Sequence, residues 1–158
     1  MTPDGKEAVR FGLAAVKNVG HGAVRAILEA RAKQPQGRFF DLQSFCESVD
    51  WSVVSKRAVE CLAKCGALDC LGHGPSPRSW VISALDAAIA AGQQRQKAAA
   101  RGQIGLFDAG STAAIATVPR LIAEAQEIPR KQLLAWEKEL IGFYRSDHPL
   151  TEVVVAGV

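Results

Sequence analysis

The chain has 158 residues, 48% of them hydrophobic, so it can bury a core in one medium domain or two small ones. Abundant alanine, few aromatic residues and scarce β-branched runs favour helices. The net charge of +3 identifies no partner, and the sequence has no signal peptide, arginine-rich presequence or long apolar run, which argues against a membrane role and favours the cytoplasm.

The first 72 residues predict four short helices. Apolar spacing and capping residues place these helices at 11–16, 21–33, 42–49 and 56–65. Asp41 and Ser55 are suited to cap the third and fourth helices, and Gly66 is suited to end the fourth. The side chains expected to form their apolar faces are Val24, Ile27, Leu28, Leu42, Phe45, Val49, Val59 and Leu62.

The second half predicts two helices and two irregular stretches. A Gly/Pro-rich boundary at 72–77 precedes a long amphipathic helix that starts at Ser79, and its polar continuation to Arg101 is expected to fray. Residues 102–127 lack periodicity and predict a loop, after which Pro129 opens a closing helix. The β-branched run at 151–158 predicts a strand without a partner, so we expect a fragment of a larger protein.

No metal site or cofactor is predicted. The four cysteines form no C-x-x-C pair, and the three histidines lie at no zinc-finger spacing. We therefore expect reduced thiols that pack as small apolar groups. Four acidic residues near the closing helix are interpreted as a solvated face, not a metal site: Glu124, Glu127, Glu137 and Glu139.

Residues 16–27, VKNVGHGAVRAI, predict two helices joined by a tight hairpin. Three residues in it tolerate a positive φ, namely Asn18, Gly20 and Gly22. Val19 is expected to point into the helix junction as an apolar plug. The amides at the start of the following helix would then form a cradle for one phosphate, with Lys17 and Arg25 flanking it.

This hairpin resembles the helix-hairpin-helix DNA-binding motif, with Asn18 in place of the usual first glycine. Such a motif contacts the DNA backbone and not the bases. The resemblance implies a set of DNA-binding residues: Lys17, Asn18, Val19, Gly20, His21, Gly22 and Arg25. An alternative is a helical corner that needs only a glycine turn. Residues 55–69 are interpreted as a degenerate second pair, in which Lys56 and Arg57 either touch phosphate or are solvated surface residues.

Four longer stretches together resemble the α (polymerase) subunit of bacterial DNA polymerase III. They are VRFGLAAVKNVGHGAVRAILEAR (9–31), GRFFDLQSFCESVD (37–50), SKRAVECLAKCGALDCLG (55–72) and LAWEKELIGFYRSDHPL (134–150). The likeness extends in order over residues 3–150. It implies a parent protein that is a DNA-directed DNA polymerase. No counterpart of the family's catalytic aspartates is present, so no catalytic residue is expected in this fragment.

The resemblance also gives an interpretation of the loop. In this family an internal segment of the Gln-x-x-Leu-Phe type binds the sliding clamp, the β subunit, and residues 103–107 fit it. The implied clamp-binding residues are Gln103, Ile104, Gly105, Leu106 and Phe107. An extended peptide kinked at the glycine would insert both large apolar side chains into one pocket, whereas a helix would separate them by about 100°. The alternative is a loop that folds back onto the fragment's own core.

The sequence thus predicts an all-α fold with a helix-hairpin-helix module, a long helix, an irregular clamp-binding loop and a closing helix, followed by a strand remnant of an OB-like domain. The predicted segments are 1–72, 73–101, 102–128, 129–150 and 151–158. Its expected function is to bind double-stranded DNA and to tether a replicative polymerase to the sliding clamp. The alternatives are a module of a repair or recombination protein and a structural adaptor between polymerase domains.

Overall fold

The structure, a computed structural model, describes residues 11–100 and 127–146. Within these two ranges the chain forms five α-helices and no strand, which confirms the all-α fold. The helices are α1 (His21–Ala32), α2 (Leu42–Ser48), α3 (Lys56–Lys64), α4 (Pro77–Ala100) and α5 (Arg130–Ile141). The predicted clamp-binding residues 103–107 and the predicted strand 151–158 lie outside the described residues.

Side-chain caps explain where α2 and α3 begin. The Asp41 carboxylate accepts a hydrogen bond from the Ser44 amide at 2.7 Å, and the Ser44 hydroxyl accepts one from the Asp41 amide at 3.1 Å. This reciprocal capping box satisfies two backbone donors at the start of α2. The Ser55 hydroxyl accepts from the Ala58 amide and caps α3, without the reciprocal bond. Both predicted caps are confirmed.

The first predicted helix is much shorter than expected. Instead of an α-helix over 11–16, the chain forms one 3-10 turn at Leu13–Ala15. Gly12 before it and Val16 after it have extended backbones, so no second helical turn forms. A segment this short gains too few hydrogen bonds to offset the cost of nucleating an α-helix.

The apolar face of α1 differs from the predicted one. Ala23, Ile27 and Ala30 are buried, whereas Leu28 is 41% exposed. The buried positions are spaced by four and three residues, so they form one stripe. Leu28 lies about 100° around the helix from Ile27 and falls outside that stripe. Its assignment to the core-facing side was therefore wrong.

The long helix α4 lies along α2 and does not fray where its sequence becomes polar. Arg95 forms an ion pair with Glu47 at 3.1 Å, and the Gln96 side-chain amide donates to the backbone carbonyls of Glu47 and Val49. These carbonyls lie at the C-terminus of α2, where no intrahelical donor is available. The polar residues that predicted fraying instead fasten α4 to α2, and the helix continues to Ala100.

The closing helix α5 completes the core. Leu140 of α5 joins one hydrophobic cluster with buried residues of all four other helices. Gly142, with φ of +86°, ends α5 in the left-handed conformation that favours glycine. At its other end, the Ile128 amide donates to the Ser79 hydroxyl at the start of α4.

The described part of the chain was also searched for membrane-spanning helices. None of its helices combines the length and the apolar character that a bilayer crossing requires.

Candidate nucleic-acid interface

The hairpin before α1 is built on two buried valines with two exposed residues between them. Val16 and Val19 are 4% and 6% exposed, while Lys17 and Asn18 are exposed. Asn18 has φ of 66°, so the chain turns through the left-handed region at the residue that replaces the usual glycine. The burial of Val19 is what the plug interpretation requires.

The two glycines of the hairpin do not use a positive φ, contrary to the expectation. Gly20 is extended, with φ of −79° and ψ of 157°, and is the N-cap of α1, whereas Gly22 lies inside α1. Gly20 instead leaves open space in front of the first turn of α1. A Cβ on Gly20 would meet no described atom within 4 Å, and Gly20 has no side chain that could cap the first amides of α1.

The first turn of α1 therefore presents backbone donors at an open surface. Gly20, His21 and Gly22 are exposed. The amides of the first helical residues have no carbonyl partner within the helix, and the helix dipole adds partial positive charge there. Such a terminus can accept one phosphate. Lys17 and Arg25, the cations predicted to flank it, are both exposed.

Lys56, predicted at the same interface, has partners within the protein. Its ammonium lies 2.9 Å from a carboxylate oxygen of Asp86 and 3.9 Å from Glu60. The hydrogen bond to Asp86 and the charge of Asp86 raise the pKa of Lys56 above its ordinary value. This ion pair with α4 is a structural reason for a cation at the start of α3. Arg57 is exposed.

The turn before α3 shares one feature with the first hairpin, a buried valine directly before the N-cap. Val54 is 1% exposed and directly precedes the N-cap of α3, as Val19 precedes the N-cap of α1. Its neighbour Val53 is half exposed and lies 3.8 Å from the place that a Cβ on Gly22 would occupy. The two helix starts are thus neighbours. Sequence reasoning missed Val54, although its position before a serine cap was the available signal.

Residues of α3 and α5 contact the first hairpin. The Lys17 amide donates to the Leu140 carbonyl of α5 at 2.9 Å, and the Asn18 side-chain amide lies 3.5 Å from the Cys61 sulfur of α3. Two exposed rings, Phe11 and Phe143, meet edge to face with centroids 5.1 Å apart. The closing helix is therefore part of the hairpin's surroundings.

Behind this surface lies a buried ionic network that sequence reasoning missed. Glu137, interpreted as part of a solvated acidic face, is 0% exposed, so that interpretation was wrong. Its carboxylate accepts from the Arg78 guanidinium at 2.8 Å and from the amides of Arg145 and Ser146 at 2.7 and 2.9 Å. The Ser146 hydroxyl also donates to it. Burial alone would raise the pKa of Glu137, but these hydrogen bonds outweigh it and lower the pKa below its ordinary value.

Asp69 and Gly66 complete the network. Asp69 accepts from the guanidinium groups of Arg78 and Arg145, at 3.0 and 2.7 Å. Gly66, with φ of +84°, lies under both groups, and a Cβ there would be 2.3 Å from a nitrogen of Arg78. The stretches 55–72 and 134–150, which carried the resemblance, thus meet in one ionic cluster, in which Arg78 and Glu137 are buried while Asp69 and Arg145 are partly exposed. The acidic residues Asp69 and Glu137, one in each stretch, were the signal from which this cluster could have been located.

The cysteines of the described ranges are all free thiols. Cys46, Cys61 and Cys65 are buried, and Cys70 is exposed. Burial, followed by the negative charges of Glu47 and Asp41, raises the pKa of the Cys46 thiol to about 12. In the same ranges, no three histidine, cysteine or acidic residues are grouped as metal ligands.

Comparisons with known proteins agree with this geometry. Residues 1–76 match the family described as the helix-hairpin-helix motif. The chain is 38% identical over 149 residues to "DNA polymerase III subunit alpha" of Vibrio cholerae, which covers 94% of this chain and 12% of that protein. It is 39% identical over 147 residues to the protein of that name from Saccharopolyspora erythraea, with 90% of this chain and 12% of that protein covered. The corresponding protein of Thermus aquaticus is 38% identical over 144 residues, covering 91% and 11%. The chain thus spans about an eighth of the length of these relatives.

Proposed function

Because this chain belongs to the family of the bacterial DNA polymerase III α subunit, we propose that it is a non-catalytic part of such a subunit, one that binds the backbone of duplex DNA and tethers the polymerase to the sliding clamp. The observation that carries the DNA-binding half is the open first turn of α1 behind a left-handed Asn18. The names of the relatives favour this proposal over a repair or recombination module.

The DNA contact would be a phosphate at the start of α1. Backbone amides supply directional donors, and Lys17 and Arg25 supply mobile charge that reaches neighbouring phosphates. None of these groups reads a base edge, so binding is expected to be independent of sequence.

The experiment for this half is a titration of the chain with duplex DNA at rising salt. Lys17→Ala and Arg25→Ala should each weaken binding several-fold and reduce the salt slope by about one counterion, because each removes one phosphate contact. Lys131→Ala is the matched control. Lys131 is also exposed, but it lies at the end of α5 remote from Leu140. An affinity that does not depend on salt would contradict the proposal and favour a structural adaptor.

The clamp contact would be made by residues 103–107, which begin three residues after α4 ends at Ala100. The bonds of Arg95 and Gln96 to α2 support this half of the proposal, because they give the motif a fixed point of attachment. Burial of one leucine and one phenylalanine contributes about 3–6 kcal/mol before ordering costs, so a weak contact is expected.

The clamp contact is tested by the double variant Leu106→Ala and Phe107→Ala of the whole chain, with binding to purified sliding clamp measured by surface plasmon resonance. We expect at least a tenfold loss of affinity, since the two anchors provide most of the buried apolar area. The matched control is Leu121→Ala with Ile122→Ala, another adjacent apolar pair between α4 and α5. Equal losses in both double variants, or no loss in the first, would refute the tether.

A further inference from the structure

The apex of the hairpin depends on the end of α5. The Lys17 amide, next to the turn at Asn18, donates to the Leu140 carbonyl at 2.9 Å. Leu140 lies in the last turn of α5, where carbonyls have no donor within the helix. This one hydrogen bond therefore gives the Leu140 carbonyl a donor and fixes the Lys17 peptide, where the turn begins.

The hairpin's own first helix is a weak support. Leu13–Ala15 is a single 3-10 turn, and none of its three residues is buried. The residues before the turn are instead contacted by α5 and by the residues after α5. These contacts include the edge-to-face pair of Phe11 and Phe143. An element more than 110 residues later in the chain thus supports the hairpin, beside the contact of Asn18 with Cys61 of α3.

Glu137 sets the position of α5 at this point. It precedes Leu140 by three residues, so both lie on the same face of the helix, and both are buried. The Glu137 carboxylate is bonded to Arg78 of α4 and to the amides of Arg145 and Ser146. A displacement of Glu137 would therefore move the Leu140 carbonyl and the Lys17 amide bonded to it.

We propose that α5 positions the DNA-binding hairpin, with Glu137 as the positioning residue that acts through Leu140 and Lys17. The proposal rests on the DNA-binding function argued above, which it deepens. It predicts that a change in the buried network alters DNA affinity even though no atom of Glu137 touches the DNA.

The test compares Glu137→Gln with Glu139→Gln in the full chain. Glu139 is exposed and only two residues away, so both variants remove one negative charge from the same helix and differ in whether that charge belongs to the network. We expect Glu137→Gln to bind duplex DNA about fivefold more weakly than Glu139→Gln, the equivalent of about one hydrogen bond. In the absence of DNA, the Lys17 amide should exchange its hydrogen at least several-fold faster in Glu137→Gln, and at an unchanged rate in Glu139→Gln.

Phe143→Ala provides a second variant in case Glu137→Gln fails to fold. Phe143 is 43% exposed, so its loss should leave the core intact while removing the ring contact to Phe11. We expect faster exchange at Lys17 and weaker DNA binding for this variant as well. An amide at Lys17 that stays protected in the folded variants, with affinity equal to that of Glu139→Gln, would overturn the positioning role while DNA binding stands. A wild-type chain that binds no DNA but shows the exchange difference would overturn the proposed function instead.

Discussion

Gly66 is the residue on which two guanidinium groups converge. Its φ of +84° is a conformation in which a side chain is strained, and the place of its Cβ lies 2.3 Å from Arg78 and 2.5 Å from Arg145. Arg78 is buried and hydrogen-bonded to Asp69, Glu137 and Ser146, so it cannot move aside without breaking those bonds. Removing the partner of a buried charge typically costs about 3–5 kcal/mol.

We expect Gly66→Ala to lower the free energy of unfolding by about 3 kcal/mol or more, through backbone strain and disruption of the network. Gly142→Ala is the matched control. Gly142 has φ of +86°, but a Cβ there would meet no described atom within 4 Å, so only the strain of about 1–2 kcal/mol applies. Urea unfolding of both variants measures the difference, and equal losses would show that the guanidinium groups rearrange freely.

At the scale of elements, α2 and α4 approach closely because Gly92 has no side chain. A Cβ on Gly92 would lie 2.4 Å from the Cys46 carbonyl oxygen, which belongs to the backbone and cannot rotate away. The same crossing brings Arg95 and Gln96 to the C-terminus of α2. One small residue thus determines how the second half of α4 is held, and with it the attachment of the segment that follows.

Gly92→Ala should destabilise the chain by about 1–3 kcal/mol, because it forces the two helices apart. The sign is diagnostic, since alanine in place of glycine within a helix would otherwise stabilise it by about 1 kcal/mol. Ala90→Gly, at an exposed position of the same helix, should lose only about that amount. Thermal unfolding followed by circular dichroism provides both values. A higher melting temperature for Gly92→Ala would contradict the close crossing.

At the scale of the whole molecule, one buried network joins segments that are far apart in sequence. Asp69 follows α3, Arg78 is in α4 and Glu137 is in α5, and their bonds place the closing helix against the hairpin module. Under the proposed function, the same chain carries the DNA contact and the clamp contact. Each contact then raises the effective concentration of the other, so two weak contacts suffice to hold the polymerase on DNA.

The sequence by itself determined the features that depend on neighbouring residues. The helix caps at Asp41 and Ser55, the start of α1 and the left-handed turn at Asn18 each follow from local hydrogen bonding and backbone sterics. The family resemblance could also be recognised from the sequence, because it depends on stretches that occur in the same order along the chain.

Only the tertiary structure decided which polar residues are buried and which helix supports the hairpin. Helical spacing places Glu137, unlike Glu139, on the face that carries Leu134 and Leu140, but the local sequence does not show which groups would pair with a carboxylate there. Its burial depends on Arg78, 59 residues away, because a carboxylate leaves water only when a cation and several amides replace its hydration. Local pattern predicts where helices begin, whereas charge pairing across the fold determines how they are held together.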